Sequence, residues 1–592
     1  MRERIEQGID EREISETSLS QATSPTQITQ CAKKRKRSIS AWMRYFYTED
    51  LSPDNRPIIE LQRRATWVGL AVILQALNEI PHPFYIPYVP FLKPWQGVIP
   101  FVLILGSFIA LWMAFRPPTL KQRLGRAQGS SLLQARPRRW QIIILVGVLL
   151  TSIAGGILFG RSIAMSFFMP PLYTNDGTSL DANAAALLLQ GRNPYTDSSI
   201  LHLLRQYPIQ PNWTTPLREG QFADRLTYPS LSELRSVLDT DLKAGHALEF
   251  ESKVSYPALS FLTLVPYIWL NIFNVLSFYL FCYIVLVAIA WKVARPELRP
   301  WVLLLALANV PLWTSVMGGN LDILYILLIA LTWLLRERGW LSALLLGLAL
   351  ASKQPAWLFV PFYVIMVWRQ HNFMEAVRRL LIAGGVALAI NLPFIVWDPH
   401  AWLAGVLAPV ADPMFPLGGG IISLATTPLL PIFAPWIYDV LEAMAMLLAL
   451  AWYWRLCKVR PEAAMLLAVL PLFFAWRSLS SYFYGAAFSL FLLMAVKALP
   501  GKSKPARKLL SRPQLMPFDN ERSTLGDIPI PAGVRAAFQS MHSFNWVIAK
   551  IVRIRPPFAS MSNWFGAPPL EPENEQEIAN GPETLRPQSS TG

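Results

Sequence analysis

Apolar runs separated by short charged connectors fill the middle of the chain, and their lengths fit membrane crossing. Runs at 66–80, 98–115 and 140–159 come first. The run at 256–291 is too long for one crossing and contains Pro257, Pro266 and Asn271, which predicts a re-entrant or interfacial helix leading into a span. Further runs at 301–316, 321–335, 341–351, 356–368, 380–397, 436–454, 462–474 and 481–498 bring the expectation to about twelve crossings. Several hold only about 11 to 16 apolar residues, short for a hydrocarbon layer of about 30 Å, so a thinned or water-filled region is expected on one side.

The connectors orient these runs. The stretch 116–139 holds seven Lys/Arg and no acid, which places it in the cytoplasm. Alternation from that anchor puts the basic connectors 292–299, 336–338, 369–379, 455–460 and 502–508 on the same side, and the long polar stretch 160–255 outside. The expected organisation is a disordered basic cytoplasmic tail at 1–64, a transmembrane domain at 65–499 with outer loops 160–255 and 398–435, and a Pro-rich cytoplasmic tail at 500–592. The fold class is all-α polytopic, multi-pass in the plasma (inner) membrane, with both termini cytoplasmic.

Composition agrees and excludes several functions. Over 592 residues, 53% are hydrophobic and 15% charged, too little polar surface to solvate a set of soluble domains. The net charge of +15 sits beside apolar runs, where it meets anionic membrane lipid, and does not point to nucleic acid. Cys31, Cys282 and Cys457 form neither a disulfide framework nor a metal cluster. The chain opens on charged and Ser/Thr/Gln-rich sequence without the form of a signal peptide, so the spans themselves are expected to direct insertion. There is no phosphate-binding glycine loop, metal-ligand spacing or nucleophile elbow.

The segment from Tyr173 to Tyr195 is the most informative. Ser179 or Thr178 can cap a short helix on the membrane face whose first turn holds Asp181, whose body is rich in Ala and Leu, and which Gly191 and Pro194 stop. Asp176 lies in the turn before it, at bilayer level. Taken singly, Asp176 is a turn former before Gly177, and Asp181 a carboxylate favoured by the helix dipole.

In order along the chain come Asp176, Ala184 to Leu189, Gly191, then Asn193, Pro194 and Tyr195; Tyr256, Pro257 and Pro266; Gly318, Gly319 and Asn320; and Gly347, Leu348, Lys353 and Pro355. This series resembles the C-type membrane glycosyltransferases, and among them the family 87 mannosyltransferases that use polyprenyl-phosphate sugars. The resemblance runs over roughly 140–498, and its polar members fall on the side expected to be outside. It implies a C-type glycosyltransferase fold, a polyprenyl-phosphate sugar donor, a lipid or glycan acceptor within the membrane lipids, and a catalytic acid at Asp176 or Asp181.

The chemistry asks for such residues on its own account. An acceptor hydroxyl that attacks an anomeric carbon needs a base, and direct displacement needs a single carboxylate. The departing phosphate needs a cation, for which Lys353 and Arg477 stand at outer span ends. For Lys353, snorkelling to the headgroups weighs equally. His400, Asn320, Tyr256 and Tyr482 are candidates for substrate or acceptor binding, although a lone loop histidine such as His400 is more often only solvated. No cofactor is called for; outer carboxylates are compatible with a divalent metal, but no ligand spacing demands one. The leading expectation is therefore an inverting hexosyltransferase, mannose first among the sugars. The alternative is a multipass transporter, or a flippase or polymerase of lipid-linked glycans, against which stand unrelated halves and ionisable residues gathered at one face.

Overall fold

The computed structural model describes residues 41–47, 56–79, 95–117, 138–168, 176–206, 209, 211–272, 274–427 and 429–496. The expected tail at 500–592 and most of that at 1–64 lie outside these residues. Among them the chain is mostly helical.

The first helix, α1 (Arg56–Glu79), begins inside the stretch expected to be tail. Burial explains why: Arg64 pairs with Glu462 at 2.6 Å and also donates to the carbonyl of Ala114. Against α1 pack α2 (Trp95–Phe115) and α3 (Arg139–Phe168). On α3, Ile143, Leu150, Ile153 and Ile157 form one stripe that is 60 to 70% exposed, the signature of a face meant for lipid.

Beyond α3 the long loop is folded. It holds α4 (Asp176–Leu189), α5 (Pro194–Asp197), α6 (Ile200–Gln206) and α7 (Leu231–Ala244). Two short helices, α8 (Leu259–Leu262) and α9 (Val265–Trp269), then lead into α10 (Leu276–Val293), in keeping with the interfacial lead-in expected over 256–291.

The run at 301–316 is a broken span. Its halves, α11 (Arg299–Ala308) and α12 (Val310–Met317), are part of a helix pair bent by 56° at Asn309. Pro311 lacks an N–H and disfavours helical backbone at Val310, so the helix cannot run straight through. After it come α13 (Asp322–Leu334), α14 (Gly339–Leu350), α15 (Val360–Gln370), α16 (Phe373–Trp397) and α17 (Pro399–Ala411). The last part holds β1 (Leu417–Gly418), α18 (Ile422–Thr426), α19 (Pro435–Leu456), α20 (Ala464–Leu467), β2 (Arg477–Ser478) and α21 (Ser481–Ala495).

Among the described residues five helices are long and apolar enough to cross a membrane, namely α2, α3, α10, α16 and α19, and the bent pair makes a sixth. Shorter apolar helices occupy 322–334, 339–350, 461–473 and 481–495. The run at 462–474 is irregular, because Pro461 and Pro471 open 3-10 turns on either side of α20. The chain is thus a helical membrane protein. Its bundle has two ends: a loop end carrying α4 to α9, α17 and the two small strands, and a basic end carrying the short Arg-rich connectors.

Candidate active site

Helix α4 is the centre of the loop end. It starts at Asp176, so Asp176 opens the first turn, and Ser179, expected as a cap, lies inside that turn and donates its Oγ to the Asp176 carbonyl at 3.0 Å. Its other end follows expectation: Gly191 takes φ +76°, and Arg192 N–H reaches back to the Leu187 carbonyl at 3.0 Å, a closure that favours a residue without a Cβ. The helix does not lie on a surface. Nearly all of it is buried, from Asp176 through Leu187, against α5, α6, α8 and α9.

Burial makes its two acids expensive to ionise, and each has a distinct set of partners. Asp181 is wholly buried and accepts from Ser260 Oγ on α8 at 2.8 Å. Desolvation raises its carboxyl to about 7, against the opposing pull of Ser260 and the positive charge of Lys353. Asp176 is 8% exposed, and burial raises it too, opposed by Thr215 from the folded loop and by the Arg477 guanidinium. Each of the two keeps one carboxylate oxygen, Oδ2, buried without a hydrogen-bond partner among the described residues.

Tyr256 joins the pieces. Its hydroxyl lies against Gly177, where a Cβ would come within 2.7 Å of it, and its ring carries the Lys353 ammonium 4.8 Å from the centroid. Its carbonyl accepts from Tyr195 Oη at 2.8 Å, so the Asn193, Pro194, Tyr195 turn anchors this ring rather than merely ending a helix.

Lys353 is buried and paired with Asp322 Oδ1 at 2.6 Å, with Asn320 Oδ1 at 3.3 Å. Asn320 Oδ1 also accepts from the Asp322 N–H at 3.0 Å. Gly319, at φ +83°, lets the chain turn so that Asn320 can do both. Snorkelling to headgroups is therefore not how Lys353 is used.

Arg477 differs from Lys353. The parallel pairing of β1 and β2 sets Leu417 opposite Arg477 and Gly418 opposite Ser478. A Cβ on Gly418, which has φ +134°, would run into the Ser478 backbone at 2.0 Å, so only glycine permits this approach. Arg477 is half-buried, its Nη1 touches Met414 Sδ, and no carboxylate forms an ion pair with it among the described residues. Arg477 and Lys353 both act on the Tyr482 ring at the start of α21.

The structure thus brings together Asp176, Asp181, Tyr256, Asn320, Lys353, Arg477 and Tyr482. His400 is apart: it is exposed on α17, and no hydrogen bond or ion pair links it to this group among the described residues. Asp398 caps α17 through the Ala401 N–H at 2.9 Å, and Asp412 pairs with Lys253 at 2.8 Å.

A comparison with protein families decides the class of the enzyme. Residues 255–412 match the model of glycosyltransferase family 87. By that match the chain is a glycosyltransferase. The matched stretch contains Tyr256, Asn320, Asp322 and Lys353, whereas α4 and Arg477 lie outside it and join these residues through the contacts above. Neither a curated protein nor a solved structure matches the chain.

Four participants had no signal in the sequence. Thr215 and Tyr228 come from the loop without any motif, and Ser260 lies in what reads as an apolar run. Met414, between two prolines of an irregular stretch, holds Arg477 with its sulfur and Trp476 Nε1 with its carbonyl at 2.9 Å.

Proposed function

We propose that this glycosyltransferase takes a hexose, mannose first, from a polyprenyl phosphate and passes it to a lipid or glycan acceptor on the extracytoplasmic face, with inversion. The observation that carries the reading is the Arg477 guanidinium, which has no carboxylate partner among the described residues and whose charge acts on the buried Asp176 carboxyl. A phosphate leaving group and an acceptor hydroxyl need those two charges side by side.

Asp176 is the preferred base because it is the less enclosed of the two acids and the one on which the Arg477 charge acts. Asp181 lies deeper, tied to Ser260, and supports the site from behind. Arg477 takes the donor phosphate; Lys353, held by Asp322, contributes its field and fixes the Tyr256 ring. The topology that goes with this reading is about twelve crossings, the loop end outside the plasma membrane and both termini in the cytoplasm.

The test is transfer of label from a polyprenyl-phosphate hexose by the purified protein in lipid, with the anomeric configuration of the product determined. An inverted glycoside is expected. A rival reading, movement of a lipid-linked glycan, draws on the span broken at Asn309, whose side-chain oxygen is buried and unpaired. Flux of such a lipid across proteoliposomes with no new glycosidic bond would establish that rival.

A further inference from the structure

The site as built has a place for the base and for the phosphate, and beside them stands an aromatic ring that neither task uses. Tyr228 is half-buried in the folded loop. Its ring meets Phe415 edge to face at 5.7 Å, Phe415 meets Phe222 at 6.1 Å, and Phe222 meets Phe250 at 6.5 Å. The residue before Phe415 is Met414, which holds Arg477. One dipeptide, Met414 and Phe415, therefore fixes the phosphate-binding cation with one side chain and Tyr228 with the next. Asp176 and Arg477 are the charged groups that act on the Tyr228 hydroxyl.

The ring is also rigidly mounted. Arg225 sits over Phe222 at 5.8 Å, is held through its carbonyl by Arg218 Nε at 2.9 Å, and binds both carboxylate oxygens of Glu233 at 2.9 and 3.3 Å. Glu233 closes a capping box with Ser230 at the start of α7, two residues after Tyr228. A preorganised aromatic face loses little entropy when a ligand covers it.

We propose that Tyr228 is the platform on which a pyranose ring of the acceptor stacks, with a hydroxyl of that ring turned toward Asp176. The proposal rests on the glycosyl-transfer reading above and names the acceptor as a saccharide. A pyranose has a C–H face that seeks an aromatic ring and a rim of hydroxyls that seeks polar groups, and Tyr228 offers both kinds of surface together. The neighbouring Asp224, Thr227 and Ser230 are exposed, so the acceptor approaches across a polar segment and not from among the apolar helices.

The experiment uses the full-length protein in lipid nanodiscs with methyl α-D-mannopyranoside and methyl α-D-glucopyranoside as acceptor probes. Saturation-transfer NMR reads binding without any donor, and transfer kinetics read acceptor KM and kcat. Tyr228→Ala is expected to abolish saturation of the ring protons and to raise acceptor KM about 10-fold or more, with kcat changed less, while Tyr228→Phe and Tyr228→Trp keep both binding and KM near wild type. Rescue by Phe and Trp separates stacking from a fold defect. Binding and KM within about twofold of wild type in Tyr228→Ala, or equal loss in Tyr228→Phe, overturn the platform. If the wild type moves no sugar from the lipid donor, the donor reading falls; probe binding that still depends on the ring continues to support the saccharide site.

Discussion

Both ends of this bundle bury charge, but they do it differently. At the basic end Arg64 pairs with Glu462, Arg460 with Glu60, and Arg379 with Glu375, and among the described residues no acid there is left with a buried, unpaired oxygen. At the loop end, among the described residues, Asp176, Asp181 and Asp322 each keep a buried oxygen without a hydrogen-bond partner, and Arg477 has no carboxylate in contact. Buried ion pairs rarely add much stability, since desolvation offsets the attraction, but breaking one is costly. The paired end is built to hold helices in register. The loop end, although Lys353 pairs with Asp322 there, keeps Asp176, Asp181 and Arg477 outside any ion pair among the described residues, and incompleteness of that kind is what a functional site would show.

The largest break in this contrast comes from the proposed base. Asp176→Asn is expected to lower transfer by about 10³-fold, roughly 4 kcal/mol of barrier, with the protein still folded, as measured by initial rates beside a thermal melt. Next, Arg64→Ala leaves Glu462 buried and unpaired, and a loss of about 3 kcal/mol in stability is expected from denaturant or thermal unfolding, with the specific activity of the folded fraction kept. Arg477→Lys, which keeps the charge but loses the planar fork, is expected to cost about 10-fold in kcat/KM for the donor with stability near wild type.

How much of this was legible beforehand differs between the same two regions. Basic connectors and apolar runs announce spans one at a time, because each is a local pattern of about 20 residues, and α2, α3, α10, α16 and α19 fall where expected. The motif residues Tyr256, Asn320 and Lys353, which the structure brings together, are legible as candidates as well, since each lies at a turn with Gly or Pro punctuation. What stayed hidden is non-local. Asp322 holding Lys353, Ser260 on Asp181, and Thr215 and Tyr228 beside Asp176 each join segments far apart in the chain. The pairing of Leu417 with Arg477 is likewise a contact between two short irregular stretches, which no periodicity foretells.

A further effect concerns pH. The Asp181 carboxyl is raised to about 7, above its ordinary value, so the folded state favours the protonated form. Its contribution to stability is then full below the unfolded carboxylate range near 4 and is lost as pH rises through about 7. The wild type is expected to melt lower at pH 8 than at pH 5, and Asp181→Asn to lessen that difference, the share of Asp176 remaining. Equal pH slopes in the two proteins would contradict the buried, unpaired state assigned to this acid.

The most direct test of the contrast between the ends sets Asp176→Asn beside Arg64→Ala in one assay of label transfer from polyprenyl-phosphate mannose, each corrected for the folded fraction. The account predicts near-total loss of transfer in Asp176→Asn and a specific activity within about twofold of wild type in Arg64→Ala. Full transfer in a folded Asp176→Asn protein would contradict it and would remove the base from this end of α4.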